Sequence, residues 1–208
     1  MSSAPPSLVP HVIIDDFLGA ARAAELLAFA QARESGFLPA KTRRKDADVD
    51  HSAIRNSLRL DAMGAVKDAF SQAVDGVFEQ TVAALGLGAL SPTIKEIEML
   101  WNGDGCFYKK HKDTITQEHC GTGVRALTFV YYFHRTPQRF SGGAIRLFPV
   151  FPVQAGAGFI DVEPRCDRLV AFPSFFPHEV MPVAARAAQF ADGRFSINCW
   201  IHKPLMRG

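Results

Sequence analysis

Charge imbalance is nearly absent from this sequence: 23 basic and 21 acidic residues leave a formal net charge of +2 with His neutral. Apart from Arg43, Arg44 and Lys45 the cations are scattered, so there is no extended electrostatic footprint for nucleic acid. The one cluster reads as a solvated charged loop over Lys41 to His51. Cysteine is scarce as well. Cys106, Cys120, Cys166 and Cys199 form no CxxC pair and no dense framework, which argues against a zinc knuckle and a disulfide scaffold and leaves reduced thiols. Long hydrophobic runs are missing, none approaching the ~20 residues of a membrane span. The opening MSSAPPSLVPHVIIDD has neither the basic region nor the long apolar region of a secretory signal. The expectation is a cytoplasmic protein with no membrane and no nucleic-acid partner. Internal repeats are absent, and Gly142-Gly143 lacks the strand, loop and helix setting of a phosphate cradle, so it reads as a tight turn.

What is present is enough apolar material, 48% of 208 residues, for one packed domain spanning 1–208. Its first part, about 1–90, reads as helical. AARAAELLAFAQARE from Ala20 is rich in good helix formers. From Asp61, taken as an N-cap, Met63, Val66, Phe70, Val74, Val77, Phe78 and Val82 repeat at a 3.6-residue period and mark one apolar face. From about 91 to 203 the texture changes to short β-branched and aromatic runs broken by Gly and Pro. TIKEIEMLW, VRALTFVYYFH, GAIRLF, RLVAFPS, HEVMPV and RFSINCWIH read as strands of an antiparallel barrel or sandwich. The fold class is therefore α+β with a mainly β core and N-terminal helices on one outer face.

Within CFYKKHKDT, His111 and Asp113 stand two apart, a spacing that puts both side chains on one face of a strand. A distant histidine, His178 in FPSFFPHEV, would complete a set of two His and one carboxylate, the facial triad that suits non-haem iron(II). The His-x-Asp motif alone is ordinary. With 7 His and 21 acidic residues in 208, such a pair arises roughly 0.7 times by chance.

The ordered set of motifs around it is not ordinary. WNGDGCFYKKHKD, VRALTFVYYF, SGGAIRLFP, DRLVAFPSFFPHEVMPV and GRFSINCW follow one another from about Glu98 to Ile201, and in this order the sequence resembles the 2-oxoglutarate- and iron(II)-dependent dioxygenases of the prolyl-4-hydroxylase-like type. The resemblance implies a double-stranded β-helix, a jelly-roll or cupin-like barrel. It implies iron(II) held by His111, Asp113 and His178, with 2-oxoglutarate and dioxygen as cosubstrates and ascorbate as a supporting reductant. Charge accounting independently favours Arg194 as the anchor of the cosubstrate. Iron(II) on one carboxylate keeps a net charge of +1, the 2-oxoglutarate dianion turns the site to −1, and a buried carboxylate needs a guanidinium partner.

Alternation on the last strand places Arg194, Ser196, Asn198 and Trp200 on one face, toward the barrel interior, and Phe195, Ile197, Cys199 and Ile201 on the other, toward the helices. On VRALTFVYYFH the same count sends Thr128, Val130 and Tyr132 inward. By resemblance Tyr132 shares the distal carboxylate with Arg194; Thr128 and Ser196, inward by alternation, are read as further cosubstrate-binding residues. Trp101 stands where some close relatives have a second cosubstrate-contacting tyrosine. The segment AARAAQFAD, within 184–193, reads as an inserted turn or lid. Arg55 and Arg125 could border the substrate mouth, but solvated loop or strand-end charge is the preferred reading of each.

The activity implied is hydroxylation of an unactivated C–H, on a prolyl or other amino-acid-like substrate, with release of succinate and carbon dioxide. Retention of Asp113 disfavours halogenation, because related halogenases carry a small residue there. The same cofactor chemistry on a free small molecule, including desaturation or cyclisation, is the alternative substrate reading. A noncatalytic metal- or ligand-binding barrel is the rival from another class.

Overall fold

The structure, a computed structural model, describes residues 9–40, 51–91, 94–114, 123–151, 158–185 and 189–203. Most of the charged segment from Lys41 to His51, together with Cys120 and His119, lies outside the described residues. In chain order the elements are β1 (Val12–Ile14), α1 (Ala20–Gln31), β2 (Leu38–Pro39), β3 (Arg55–Asn56), β4 (Leu58–Leu60), α2 (Ala65–Leu85), β5 (Ile94–Asn102), β6 (Phe107–His111), β7 (Val124–Phe133), β8 (Phe140–Gly142), β9 (Ile145–Leu147), β10 (Ile160–Val162), β11 (Arg168–Pro173), β12 (His178–Val180), β13 (Val183–Ala185) and β14 (Arg194–Lys203). The larger sheet runs β1-β11-β7-β14-β5-β4-β2, the smaller β10-β9-β12-β6-β3, and β13 pairs with β8 as a separate ribbon.

Two apolar clusters explain the arrangement. On its outer face the larger sheet presents Leu127, Phe129, Tyr131 and Phe133 from β7 and Phe195, Ile197, Cys199 and Ile201 from β14, all buried against Phe70, Val74, Phe78 and Val82 of α2. Each large apolar side chain removed from water contributes roughly 1.5–3 kcal/mol. A slip of one residue in either strand would turn that whole set toward the barrel interior, so this packing fixes which residues face inward. The interior cluster joins Val130, Tyr132, Val170 and Phe172 of the larger sheet to Ile145, Leu147 and Val162 of the smaller one. The inward and outward sets on β7 and β14 are those the alternation predicts.

Three local expectations give way. Asp61 does not cap α2. That helix begins at Ala65 behind Gly64, whose φ of 52° is open to glycine and costly for other residues, while Asp61 pairs with Arg59 at the surface. HEVMPV is not one strand, because Pro182 has no N–H to donate to a ladder. The chain leaves the smaller sheet after Val180 and re-enters pairing at Val183 against Gly142. The described part of AARAAQFAD is no free lid. Val183–Ala185 is paired, and Phe190 is buried in the outer core, with Trp101 Nε1 donating to its carbonyl at 2.8 Å. Residues 186–188 lie outside the described set. Among the described residues, the first ninety also supply four short strands besides the helices; β1 forms the edge of the larger sheet beside β11, and β3 pairs with β6.

Candidate active site

The register of the smaller sheet sets His178 on β12 directly opposite His111 on β6. Cross-strand neighbours of this kind stand about 5 Å apart at Cβ, and the two imidazole centroids are 4.2 Å apart. Beyond His111 the chain turns back toward the larger sheet, where the Asp113 and Thr114 amides both donate to the Ser174 carbonyl, at 3.0 and 3.1 Å. This brings the Asp113 carboxylate between the two rings, Oδ1 3.6 Å from His111 Nε2 and Oδ2 3.5 Å from His178 Nε2. The three prospective ligand atoms lie within 4.8 Å of one another.

The residues fit a metal ion. His111 Nδ1 lies 2.8 Å from the Lys109 carbonyl, and His178 Nδ1 lies 3.0 Å from the Phe176 carbonyl. A carbonyl only accepts, so each Nδ1 carries the hydrogen and each Nε2 turns a lone pair toward Asp113. Ligands at right angles and roughly 2.1 Å from an octahedral ion stand about 3 Å apart. The two Asp113 separations of 3.6 and 3.5 Å are long for direct hydrogen bonds and close to that spacing, so the three side chains are placed to share one ion. Electrostatics favour the ligating forms. Burial alone would raise Asp113, but His178, His111 and Arg125 outweigh it and hold its carboxyl well below the usual carboxylate range. Burial pushes His178 down to about 4 despite the attraction of Asp113, so the imidazole is neutral at physiological pH.

Thr128, placed inward by alternation, donates its hydroxyl to Asp113 Oδ2 at 2.9 Å, and its oxygen lies 2.8 Å from Ser174 Oγ. A carboxylate cannot donate, so the Thr128 proton points to Asp113 and Ser174 donates to Thr128. Thr128 therefore holds the carboxylate at the metal end of the barrel and is not the cosubstrate-carboxylate contact expected of it. Phe172 meets the His178 ring edge to face at 4.8 Å, and Tyr108 stacks on His111 at 3.6 Å.

Four residues further along β7, about 13 Å at a strand's rise, lies the second half of the site. Arg194 is only 2% exposed. Its Nη1 donates to Asn102 Oδ1 at 3.1 Å, and its guanidinium carbon sits 4.7 Å from the centre of the Tyr132 ring. Its Nε and the Tyr132 hydroxyl have no hydrogen-bond partner among the described residues, and no carboxylate there pairs with the guanidinium. Burial pushes the Tyr132 phenol up against the pull of Arg194, which leaves a proton for a ligand to accept. A buried, uncompensated guanidinium is costly unless an anion meets it, which is what the distal carboxylate of 2-oxoglutarate would do. Ser196 lies on the same inner face, opposite Tyr132 in register and fully buried.

Trp101 is a correction. In register it stands opposite Phe195, on the face that meets the helices, where it stacks on Phe190 at 5.2 Å. Asn102, one residue on and therefore on the other face, is the β5 residue that reaches Arg194. Arg55 and Arg125 are corrections as well, since neither is a solvated charge. Arg125 grips Glu96 through two bonds at 3.0 and 2.7 Å, lies 3.8 Å over Trp200 and comes within 4.0 Å of Asp113 Oδ1. Arg55 covers Tyr108 and approaches Glu98. Both lie at the metal end, as the substrate-mouth alternative had it; Ser174 and Asn102 are the candidate-site residues that sequence reasoning missed. Strand parity gave no signal for Arg125: it would place the side chain outward with Leu127, and the register shift between Ile201 and His202 breaks that count.

The barrel pairs a three-ligand cluster able to hold a metal ion with a buried guanidinium able to meet an anion. Comparison with known proteins places it further: residues 97–202 match the family model described as the 2OG-Fe(II) oxygenase superfamily, and the chain belongs to that family. It is 26% identical to an uncharacterized PKHD-type hydroxylase of Synechocystis over 92% of this chain and 63% of that protein. It is 31% identical to Egl nine homolog 1 of Rattus norvegicus over 61% of this chain and 34% of that one. The chain thus spans about two thirds or less of these relatives' lengths. Among solved structures, a Pseudomonas putida prolyl-4-hydroxylase superposes with a TM-score of 0.67 at 25% identity over 94% of both chains. A Trichoplax adhaerens prolyl hydroxylase, in complex with a peptide fragment of the hypoxia-inducible factor oxygen degradation domain, gives 0.66 at 22% identity and shares the double-stranded β-helix fold.

Proposed function

We propose that this chain is an iron(II)- and 2-oxoglutarate-dependent hydroxylase whose substrate is a prolyl or closely related residue of a peptide. His111, Asp113 and His178 hold the metal, and Arg194 with Tyr132 holds the distal carboxylate of the cosubstrate. When bound, iron(II) with dioxygen and 2-oxoglutarate supplies the oxidising equivalent that places a hydroxyl on an unactivated carbon, with succinate and carbon dioxide as coproducts.

The protein's own residues do the rest. His111 and His178 keep their Nδ1 protons on backbone carbonyls, so both rings are fixed as neutral Nε2 ligands. Thr128 and Ser174 orient Asp113. Val130, Val170 and Phe172 give the barrel an apolar lining beside the Thr128 and Tyr132 positions, which keeps water from the reacting atoms. The polar and aromatic groups Arg55, Tyr108, Arg125 and Trp200 surround the metal end, where a substrate side chain would enter.

The observation that carries the reading is the uncompensated Arg194 guanidinium, buried in the same barrel as the three ligands. A metal-binding barrel without a cosubstrate has no use for it. The prolyl substrate draws its support from the Pseudomonas putida prolyl-4-hydroxylase, matched over nearly all of both chains. The test is succinate release with iron(II), ascorbate and a panel of proline-containing peptides, free amino acids and small molecules. The reading predicts succinate release coupled to a 16-dalton gain on a prolyl peptide. Coupled turnover of a free small molecule with none on any peptide would replace the substrate class.

A further inference from the structure

The Arg194 pocket contains one polar contact that the proposed activity does not require. Asn102, the last residue of β5, pairs with Arg194, the first residue of β14, and its side chain is 3% exposed. A guanidinium has donors only, so the amide oxygen is the atom that faces Nη1 at 3.1 Å. The acceptor is neutral. A carboxylate in its place would orient the guanidinium as well, yet would cancel its charge. The nearest acidic residue in sequence, Asp192, is buried two positions before Arg194, and Arg135 takes it at 2.8 Å. On its other side Arg194 meets Gly143, whose φ of +72° and missing side chain make room. A Cβ there would stand 2.7 Å from Arg194 Cδ and 3.3 Å from Nε. The guanidinium is thus held between Asn102, the Tyr132 ring and the Gly143 backbone, with no carboxylate against it and no partner for its Nε among the described residues.

We propose that Asn102 is a positioning and specificity-determining residue: it aims Arg194 with a neutral acceptor and so reserves the guanidinium's full charge for a cosubstrate that carries a second carboxylate. The inference rests on the reading of Arg194 as the cosubstrate anchor. It adds that the preference for a dianion over a monoanion is set by an amide on the neighbouring strand.

The experiment compares the full chain with its Asn102→Asp and Asn102→Ala variants, loaded with iron(II) under nitrogen. Thermal stabilisation is titrated with 2-oxoglutarate and with its distal methyl ester, and KM and kcat for 2-oxoglutarate are measured in air. Placing a like charge against a buried ligand group costs several kcal/mol. Asn102→Asp is therefore expected to weaken 2-oxoglutarate at least ~30-fold. The distal methyl ester should weaken less than about threefold, and kcat at saturation should stay within about twofold. Asn102→Ala, which removes the aim without adding charge, is expected to weaken both ligands about 3- to 10-fold. Unchanged 2-oxoglutarate binding in either variant overturns the inference. So does an equal loss of both ligands in Asn102→Asp, which would mark Asn102 as merely structural. If the unaltered chain shows no stabilisation by 2-oxoglutarate, the cosubstrate reading itself fails and the inference falls with it.

Discussion

Replacing Thr128 by valine tests the metal reading without touching a ligand. The side chain keeps its shape and loses one hydroxyl, which in the native chain donates to Asp113 Oδ2 at 2.9 Å and accepts from Ser174. Both groups are buried, so the bond is charge-assisted and shielded from water, in the class that contributes about 1.5–3 kcal/mol. Without it the Asp113 carboxylate keeps its backbone tether but can rotate about its last bond, away from the point on which His111 and His178 converge. Loss of such an orienting partner lowers metal affinity about 10- to 100-fold, or roughly 1.4–2.7 kcal/mol, the same size as the bond removed. Anaerobic titration of iron(II), or of cobalt(II) as a spectroscopic stand-in, measures it directly. Thr128→Ser retains the hydroxyl and is expected to bind within about threefold of the native chain. Native affinity in Thr128→Val refutes the reasoning, as does equal damage in Thr128→Ser, which would show that any change of packing at this position, and not loss of the hydroxyl, weakens the metal.

The two adjacent tyrosines of β7 should part company. Tyr131→Phe, which breaks a 2.9 Å bond to Asp167 on the outer face, should lower stability by about 1.5–3 kcal/mol and leave the 2-oxoglutarate KM alone. Tyr132→Phe should raise that KM with little change in melting temperature, and equal effects on both quantities would contradict the assignment of faces. Trp101→Phe should remove only the bond to the Phe190 carbonyl, a loss of about 1 kcal/mol in chemical denaturation, and a tenfold rise in 2-oxoglutarate KM would restore Trp101 to the cosubstrate pocket. Acidification of the metal-free protein should lower its melting temperature as pH falls from about 6.5 toward 4. Folded His178 resists protonation down to about 4 while the unfolded histidine accepts a proton near 6.5. Asp113, depressed in the fold, adds its own loss below the unfolded carboxylate value. A flat melting profile across that window would contradict a neutral, buried His178.

Long, strongly alternating strands were legible, and with them the faces on which most of the candidate site residues lie. On β14 the apolar set Phe195, Ile197, Cys199 and Ile201 had to face the helices, which leaves Arg194 and Ser196 inside. Strands of two or three residues, such as β2, β3 and β13, carry no readable period, because their pairing partners and not their own sequence hold them in place. Trp101 is the instructive miss. Within IKEIEMLWN the apolar set Ile97, Met99 and Trp101 alternates with Glu96 and Glu98, so parity alone sends the indole toward the helices; correspondence with a family tyrosine outweighed that signal. Arg55 and Arg125 were read as solvated because a lone arginine usually is. What buries them here is Tyr108 and Trp200, aromatic faces contributed by other strands.

Addition of iron(II) and then 2-oxoglutarate to the metal-free chain, without oxygen, bears most directly on the central claim that one ferrous ion and one diacid share this barrel. A visible charge-transfer band is expected at one equivalent of each, absent from His178→Ala and shifted to much higher 2-oxoglutarate concentration in Arg194→Met. A band that persists unchanged in both variants, or its absence from the native chain, would contradict the claim.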